Sequence, residues 1–175
     1  MFFKKNKNYL VIDKVYKKIV VLSRDKNFYL KLNVPDTIDG RFDMLLLFTI
    51  LVVFRLSKIK PDGKVLAQQL FDRFFLDLDY SLRELGVGDV GVSVKIKNMA
   101  SAYLGRQKVY SNSFENNDIE FLINSLNNNV FRNTRINKIN TKKLALYCFK
   151  TLKKLKNYKN SEMLAGDFEF PPSNI

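Results

Sequence analysis

The chain has 175 residues, of which 46% are hydrophobic, and it carries a formal net charge of +13 with no histidine and a single cysteine. This length predicts one domain with a substantial core, and the apolar content excludes disorder over most of the chain. The absence of histidine excludes Ser-His-Asp and Cys-His catalysis and histidine-ligated zinc or haem, and one cysteine cannot form an intramolecular disulfide.

The N-terminal part of the chain predicts a helix and then a crossing segment. Apolar residues at helical spacing predict an amphipathic, basic helix over residues 8–23. Residues 28–34 alternate loosely, which favours a short extended piece. Pro35 supports this, because it stops a helix and pushes Val34 towards an extended conformation.

A second helix is predicted at residues 42–56, with Asp36 or Thr37 capping its start. The helix is apolar nearly all round, and such helices are the ones that others pack around. Its longest apolar run, residues 44–54, is shorter than the roughly 20 residues that a membrane-spanning helix needs. We therefore expect a core helix whose centre is deeply buried.

A third and a fourth helix are predicted on either side of a glycine corner. The third, residues 64–85, has an apolar stripe at helical spacing. Gly86 suits the left-handed position that ends a helix, and Gly88 relieves the turn. Asp89 is expected to cap the fourth helix, which runs from residue 90 to about residue 105.

Two further helices and a tail complete the prediction. The pair Asn117 and Glu120 is typical of a capping box, and predicts a fifth helix that ends near Phe131. A sixth helix is predicted over residues 141–158. The protein is thus predicted to be all-α: a single compact domain of about six helices, residues 1–160, with a C-terminal tail, residues 161–175, that is mobile or laid across the surface.

The basic residues concentrate near the two ends of the chain. Residues 4–31 contain nine Lys/Arg against two acids, and residues 121–161 contain ten Lys/Arg and no acid. Such faces suit ribosomal RNA phosphates or anionic lipid head groups, although a solvated face in a lysine-rich protein explains them equally well. The candidate basic surface on the sixth helix comprises Lys142, Lys143, Lys150, Lys153 and Lys154.

Three patterns resemble chemical sites but have simpler interpretations. Residues 86–91 match the dinucleotide pattern GxGxxG, yet a helical segment precedes them where that fold needs a buried strand. The acids at 72, 77, 79 and 84 have Arg73 and Arg83 nearby, which favours ion pairs over a metal site. Arg41 is expected to tie down one of the acids at 36, 39 and 43, and Cys148 to be a buried apolar residue.

Two segments carry a family resemblance. Residues 77–106, "DLDYSLRELGVGDVGVSVKIKNMASAYLGR", resemble the signature of the ubiquinol–cytochrome c chaperone family, and residues 28–44, "FYLKLNVPDTIDGRFDM", follow the family's upstream order. The similarity covers about residues 9–110. It implies a helical, non-enzymatic factor without cofactors that binds newly made cytochrome b and supports assembly of the cytochrome bc1 complex. The chain looks like a bacterial member.

This resemblance sets the remaining expectations. We expect a cytoplasmic protein, peripheral on the inner face of the cell membrane, with cytochrome b as client, ribosome or anionic membrane as a further contact, a small partner protein, and no DNA partner. An apolar groove formed by the second and third helices is expected to receive the client. The alternative is a basic helical protein that binds RNA or the ribosome without a membrane-protein client. Candidate contact residues are Arg41, Phe42, Phe71, Phe75, Arg83, Asp89 and Arg106.

Overall fold

The computed structural model describes residues 2–132 and 138–174, with side chains from residue 8 onward, and within these ranges all the regular structure is α-helical. This confirms the predicted all-α class. The helices are α1 (Phe2–Ser23), α2 (Lys26–Leu30), α3 (Ile38–Ser57), α4 (Asp62–Glu84), α5 (Asp89–Asn116), α6 (Ile119–Asn129), α7 (Lys138–Asn157) and α8 (Asn160–Ala165).

Helix α3 lies at the centre of the fold and contacts α1, α4, α5 and α7. Its start is fixed by Thr37, whose hydroxyl accepts a hydrogen bond of 3.1 Å from the backbone N–H of Gly40. Leu46 and Ile50 are completely buried and Val53 nearly so, which confirms the expected central position. Within the described residues, none of the helices has both the length and the unbroken apolarity that crossing a membrane demands.

Helices α4 and α5 form an antiparallel hairpin around the glycine corner. The N–H of Val87 bonds to the carbonyl of Leu82, and the N–H of Gly86 to that of Arg83, which is the Schellman pattern of helix ends. Gly86 has a φ of 80°, as predicted. The prediction that Asp89 caps α5 is wrong, because Gly88 occupies the N-cap position and Asp89 is the first helical residue.

Two local predictions need correction. Residues 28–30 lie in α2 rather than in an extended segment, because Asp25 caps a short helix by accepting from the N–H of Asn27, and Phe28 is buried beneath it. Asn117 does not cap the fifth predicted helix. It ends α5 in a left-handed conformation, with φ 54°, while Asp118 accepts from the N–H of Phe121 and caps α6. Helix α5 therefore extends eleven residues beyond the predicted end at residue 105.

The tail after α8 lies across the surface of α1 and α7, one of the two arrangements expected for it. The ring of Phe168 is 1% exposed, and Lys18 lies over it at 5.4 Å from the ring centroid. The hydroxyl of Tyr147 on α7 donates a hydrogen bond of 2.7 Å to the carbonyl of Pro171. The division of the chain at residue 160 stays a prediction, and α8 begins at that position.

Candidate functional site

An aromatic cluster holds the α4–α5 hairpin together where it joins the body of the protein. Tyr103 of α5 is completely buried, and its ring lies 4.9 Å from that of Phe71 and 5.8 Å from that of Phe75. Phe74 packs against both Phe75 and Tyr103. Phe71 and Phe75 stay half-buried, so one edge of each ring remains at the surface.

Beyond this cluster the hairpin exposes large apolar side chains. The set that we call the hairpin surface, with the exposed fraction of each residue, is Leu76 (46%), Tyr80 (58%), Leu85 (63%), Val90 (82%) and Val94 (55%). Leu76 and Tyr80 are one turn apart on α4, Val90 and Val94 are one turn apart on α5, and Leu85 lies at the turn between the helices. A concentration of exposed apolar residues on one helical hairpin is typical of an interaction surface.

The end of the hairpin is tied by one arginine. Nε of Arg83 lies 2.6 Å from Asp79, and its Nη1 donates to Asp89, which is 88% exposed. The bonds that Arg83 donates to Asp79 and then to Asp89 raise the pKa of its guanidinium above the ordinary value. Arg83 and Asp89 thus join α4 to α5 and leave the adjacent apolar side chains uncovered.

A buried carboxylate connects the hairpin to the central helix. Asp43 of α3 accepts hydrogen bonds from Arg106 at 2.5 Å and from Arg132 at 3.0 Å, and its side chain is 1% exposed. Burial raises the pKa of Asp43, while both guanidinium groups act in the opposite direction. Arg132 also lies 3.4 Å from Asp39. Arg106, a candidate contact residue, therefore ties α5 to α3.

Phe42 and Arg41 lie on different sides of the start of α3. Phe42 is buried, with its ring 6.1 Å from that of Phe74 and with Arg106 over its face at 5.8 Å. Arg41 is exposed and pairs with Asp36 at 2.6 Å, as the sequence predicted. Of the candidate contact residues, Phe42, Phe71, Phe75 and Arg106 therefore gather around one aromatic cluster, Arg83 and Asp89 lie at the hairpin end, and Arg41 stands apart.

Helix α3 cannot line an open groove along its length, because its central side chains are covered on all sides. The expected groove between the second and third predicted helices is therefore filled by packing. The hairpin surface on α4 and α5 stays accessible beside this packed interface. The helical periodicity did not single out the hairpin surface, and the signal that marks these residues is large apolar side chains at exposed helical positions.

The candidate basic surface occupies the outer face of α7. Lys142, Lys143, Lys150 and Lys153 are exposed there and surround Leu146, which is 49% exposed. Lys154 differs, because it donates a hydrogen bond of 3.1 Å to the carbonyl of Phe170 and holds the tail.

The basic residues of α1 are placed differently. Lys14 pairs with Asp167, Lys17 with Asp13, and Lys18 with Glu169. The charges of these three lysines, which belong to the part of α1 whose side chains are described, are therefore compensated within the protein. The exposed lysines of α7 have no ion-pair partner among the described residues.

The groups that could carry reaction chemistry are occupied structurally. Cys148 is completely buried, and burial raises the pKa of its thiol. Asp77 pairs with Arg73 at 3.3 Å and Asp79 with Arg83 at 2.6 Å, as predicted, whereas Asp72 accepts a hydrogen bond from Gln68 instead of forming an ion pair with a described residue. In the ranges that the structure describes, no group of three or more potential metal ligands comes together. The GxGxxG pattern follows α4 rather than a strand.

Comparison with known proteins gives a consistent result. The model of the family described as "Ubiquinol-cytochrome C chaperone" matches residues 30–170. The crystal structure of the Cbp3 homolog from Brucella abortus superposes with a TM-score of 0.88 and is 33% identical, over 98% of this chain and 94% of that one. No curated protein matches the sequence.

Proposed function

The chain belongs to the ubiquinol–cytochrome c chaperone family and is a chaperone in the assembly of respiratory complex III, and we propose that its client is newly made cytochrome b. We further propose that it acts without catalysis or a cofactor, by holding the client in an assembly-competent state. The family assignment supports a protein client in complex III assembly, and the identity of that client is the proposal.

The exposed apolar hairpin surface carries this proposal. Cytochrome b is a membrane protein, so its newly made helices present apolar side chains that need temporary cover outside the bilayer. The hairpin surface offers an apolar contact of the kind that amphipathic or apolar helices bind. It is formed by Leu76 and Tyr80 on α4, Leu85 in the turn, and Val90 and Val94 on α5. The half-buried rings of Phe71 and Phe75 extend it towards the core.

The roles of the polar candidates follow from their positions. Arg83 and Asp89 fix the two helices of the hairpin, and Arg106 ties α5 to α3, so we propose that all three support the surface rather than bind the client through charge. Arg41 is exposed and remains a candidate contact.

We propose that the basic face of α7 keeps the protein close to an anionic membrane surface, where the client enters the bilayer. Four exposed lysines supply electrostatic attraction to anionic lipids, and the exposed Leu146 among them can enter the head-group region. Ribosomal RNA is the alternative partner of this face, and an exposed leucine at its centre favours the membrane.

Deletion of the gene tests the client assignment. Loss of the protein should lower cytochrome b and assembled bc1 complex together, while the other respiratory complexes stay at their normal levels. Unchanged amounts of both would contradict the proposal, and would favour an RNA-binding role if the protein cosedimented with ribosomes.

Two charged substitutions test the hairpin surface. Leu85→Glu and Val90→Glu should reduce the cytochrome b that co-purifies in mild detergent by about tenfold or more, because each places a carboxylate within an apolar contact. Leu30→Glu is the matched control, since Leu30 is 75% exposed and lies on α2, away from the hairpin. Equal recovery of cytochrome b with all three variants would show that the hairpin is not the contact.

A further inference from the structure

A second surface lies at the opposite end of α5 from the hairpin turn. There an open cavity of about 810 Å³ lies between the end of α3, the last turns of α5 and the start of α6. A neighbouring cavity of about 250 Å³ continues it to the end of α7, and both are lined by Phe54, Lys58 and Glu115. We call the two together the terminal groove. Val90 and Asn112 are 22 positions apart on α5, so this groove is roughly 33 Å from the hairpin surface.

The charge of the terminal groove is strongly unbalanced. Its lining includes four cationic side chains, Arg55, Lys58, Lys108 and Lys156, and one acidic side chain, Glu115. Lys58 and Glu115 are about half exposed and lie 2.5 Å apart, so the carboxylate of Glu115 is already paired with Lys58. An anionic group that entered the groove would therefore meet uncompensated positive charge.

Arg55 is the most unusual member of this group. It is only 8% exposed, and among the described residues it pairs with no carboxylate. Its Nε donates to the carbonyl of Leu155 at 3.1 Å, and its Nη2 donates to the carbonyl of Tyr158 and to the side chain of Asn160. These bonds cap the end of α7, but all three acceptors are neutral. Buried guanidinium groups are normally balanced by a negative charge, so the charge of Arg55 is not balanced by these contacts.

The groove also has an apolar wall next to this charge. Val109 and Phe121, which is 40% exposed, line the larger cavity together with Phe54, which is 7% exposed and has the ammonium of Lys58 over its ring at 4.9 Å. A small inorganic anion would use only the cationic end. A peptide that carries a carboxylate beside an aromatic or aliphatic side chain would use both parts, which matches the requirement for a charged group next to a hydrophobic anchor.

We propose that the terminal groove binds an acidic peptide segment of a partner protein, with a carboxylate at Arg55 and Lys156 and an apolar side chain against Val109 and Phe121. The site is distinct from the hairpin surface, so a partner and the client can be bound at the same time. The proposal does not depend on the identity of the client.

Fluorescence anisotropy with defined peptides tests this site on the full chain. The probe is a fluorescein-labelled peptide of alternating glutamate and phenylalanine, and a second peptide has the same charge with serine in place of phenylalanine. Lys156→Glu should weaken binding of the first peptide by about tenfold, and Glu115→Gln should strengthen it by about threefold, because the two changes shift the local charge in opposite directions. Phe121→Ala should weaken only the phenylalanine-containing peptide.

Lys95→Glu is the matched control, because it makes the same charge change as Lys156→Glu on α5, about 20 Å along the helix from Lys108 and outside the groove. It should leave the affinity unchanged. Peptide affinities that do not respond to Lys156→Glu and Glu115→Gln would overturn the proposal. Equal affinity for the serine peptide, or complete displacement by equimolar inorganic phosphate, would also overturn it, because either result would describe a general anion site rather than a peptide groove.

Discussion

The carboxylate of Asp43 accepts a hydrogen bond of 2.5 Å from Arg106, which joins the central helix α3 to α5 across 63 positions of the sequence. Arg132 donates to the other carboxylate oxygen at 3.0 Å. Since the side chain of Asp43 is 1% exposed, its charge depends on these two cations for compensation. The same Arg106 covers the ring of Phe42, so the ion pair and the aromatic cluster below the hairpin form one structural unit.

Arg106→Met should lower the free energy of unfolding by about 2 kcal/mol at neutral pH, because Asp43 would remain buried with only the partly exposed Arg132 as a partner. Urea denaturation measures the loss. Arg41→Met is the control, since it removes an exposed, solvent-screened pair with Asp36 and should leave stability almost unchanged. Equal effects of the two substitutions would show that burial of Asp43 adds nothing to the pair.

The loss of unfolding free energy caused by Arg106→Met should depend on pH. Burial already raises the pKa of Asp43 above 3.8, so between that value and the folded-state pKa the folded protein binds more protons than the unfolded one. The stabilisation from protonated Asp43 is complete below pH 3.8 and is lost as the pH rises through the folded-state pKa. Removal of Arg106 should raise that pKa further. The stability difference between wild type and variant should therefore grow as the pH rises through this window, and a difference that is constant with pH would contradict this assignment.

The sequence predicted the main helices because their apolar residues recur at helical spacing, and it predicted the hairpin turn because Gly86 needs no tertiary partner to adopt a positive φ. It could not predict the cluster of Asp43, Arg106 and Arg132. Arg106 and Arg132 lie 63 and 89 positions after Asp43 in the sequence, and no local pattern pairs either of them with it. The same limit explains the filled groove, since a helix that is apolar all round does not reveal which of its faces are covered.

Tyr103→Phe should stabilise the protein by about 1 kcal/mol. The hydroxyl of Tyr103 is buried among phenylalanine rings and has no hydrogen-bond partner among the described residues, so its removal relieves a desolvation cost. Tyr147→Phe makes the same chemical change with the opposite expectation, a loss of about 1 kcal/mol, because the hydroxyl of Tyr147 donates to Pro171. Thermal unfolding of the two variants side by side distinguishes them, and a destabilised Tyr103→Phe would show that its hydroxyl is satisfied.

Gly40→Ala should cost about 3 kcal/mol of stability. A Cβ at this position would lie 1.9 Å from the carbonyl oxygen of Pro35, so the segment before α3 would have to move. This close approach explains the glycine that follows the Val-Pro-Asp-Thr segment. Gly105→Ala is the control, because a Cβ there meets nothing within 4 Å and alanine favours the interior of α5 by about 1 kcal/mol. Chemical denaturation should therefore give changes of opposite sign.

Gly86→Ala should cost about 1 kcal/mol while leaving the packing intact, because Gly86 has φ 80° and a Cβ there meets no atom within 4 Å. Gly88→Ala, in equally open space but at φ −67°, should cost less, because a side chain does not strain the backbone there and only the preference for glycine at the N-cap is lost. If the hairpin surface holds the client, the strained turn should also lower recovery of cytochrome b, since the turn sets how α4 and α5 present Leu85 and Val90. If Gly86→Ala lowers stability but cytochrome b is fully recovered, the client contact lies elsewhere. If Gly86→Ala and Gly88→Ala are equally stable, the turn accepts a side chain at residue 86 without strain.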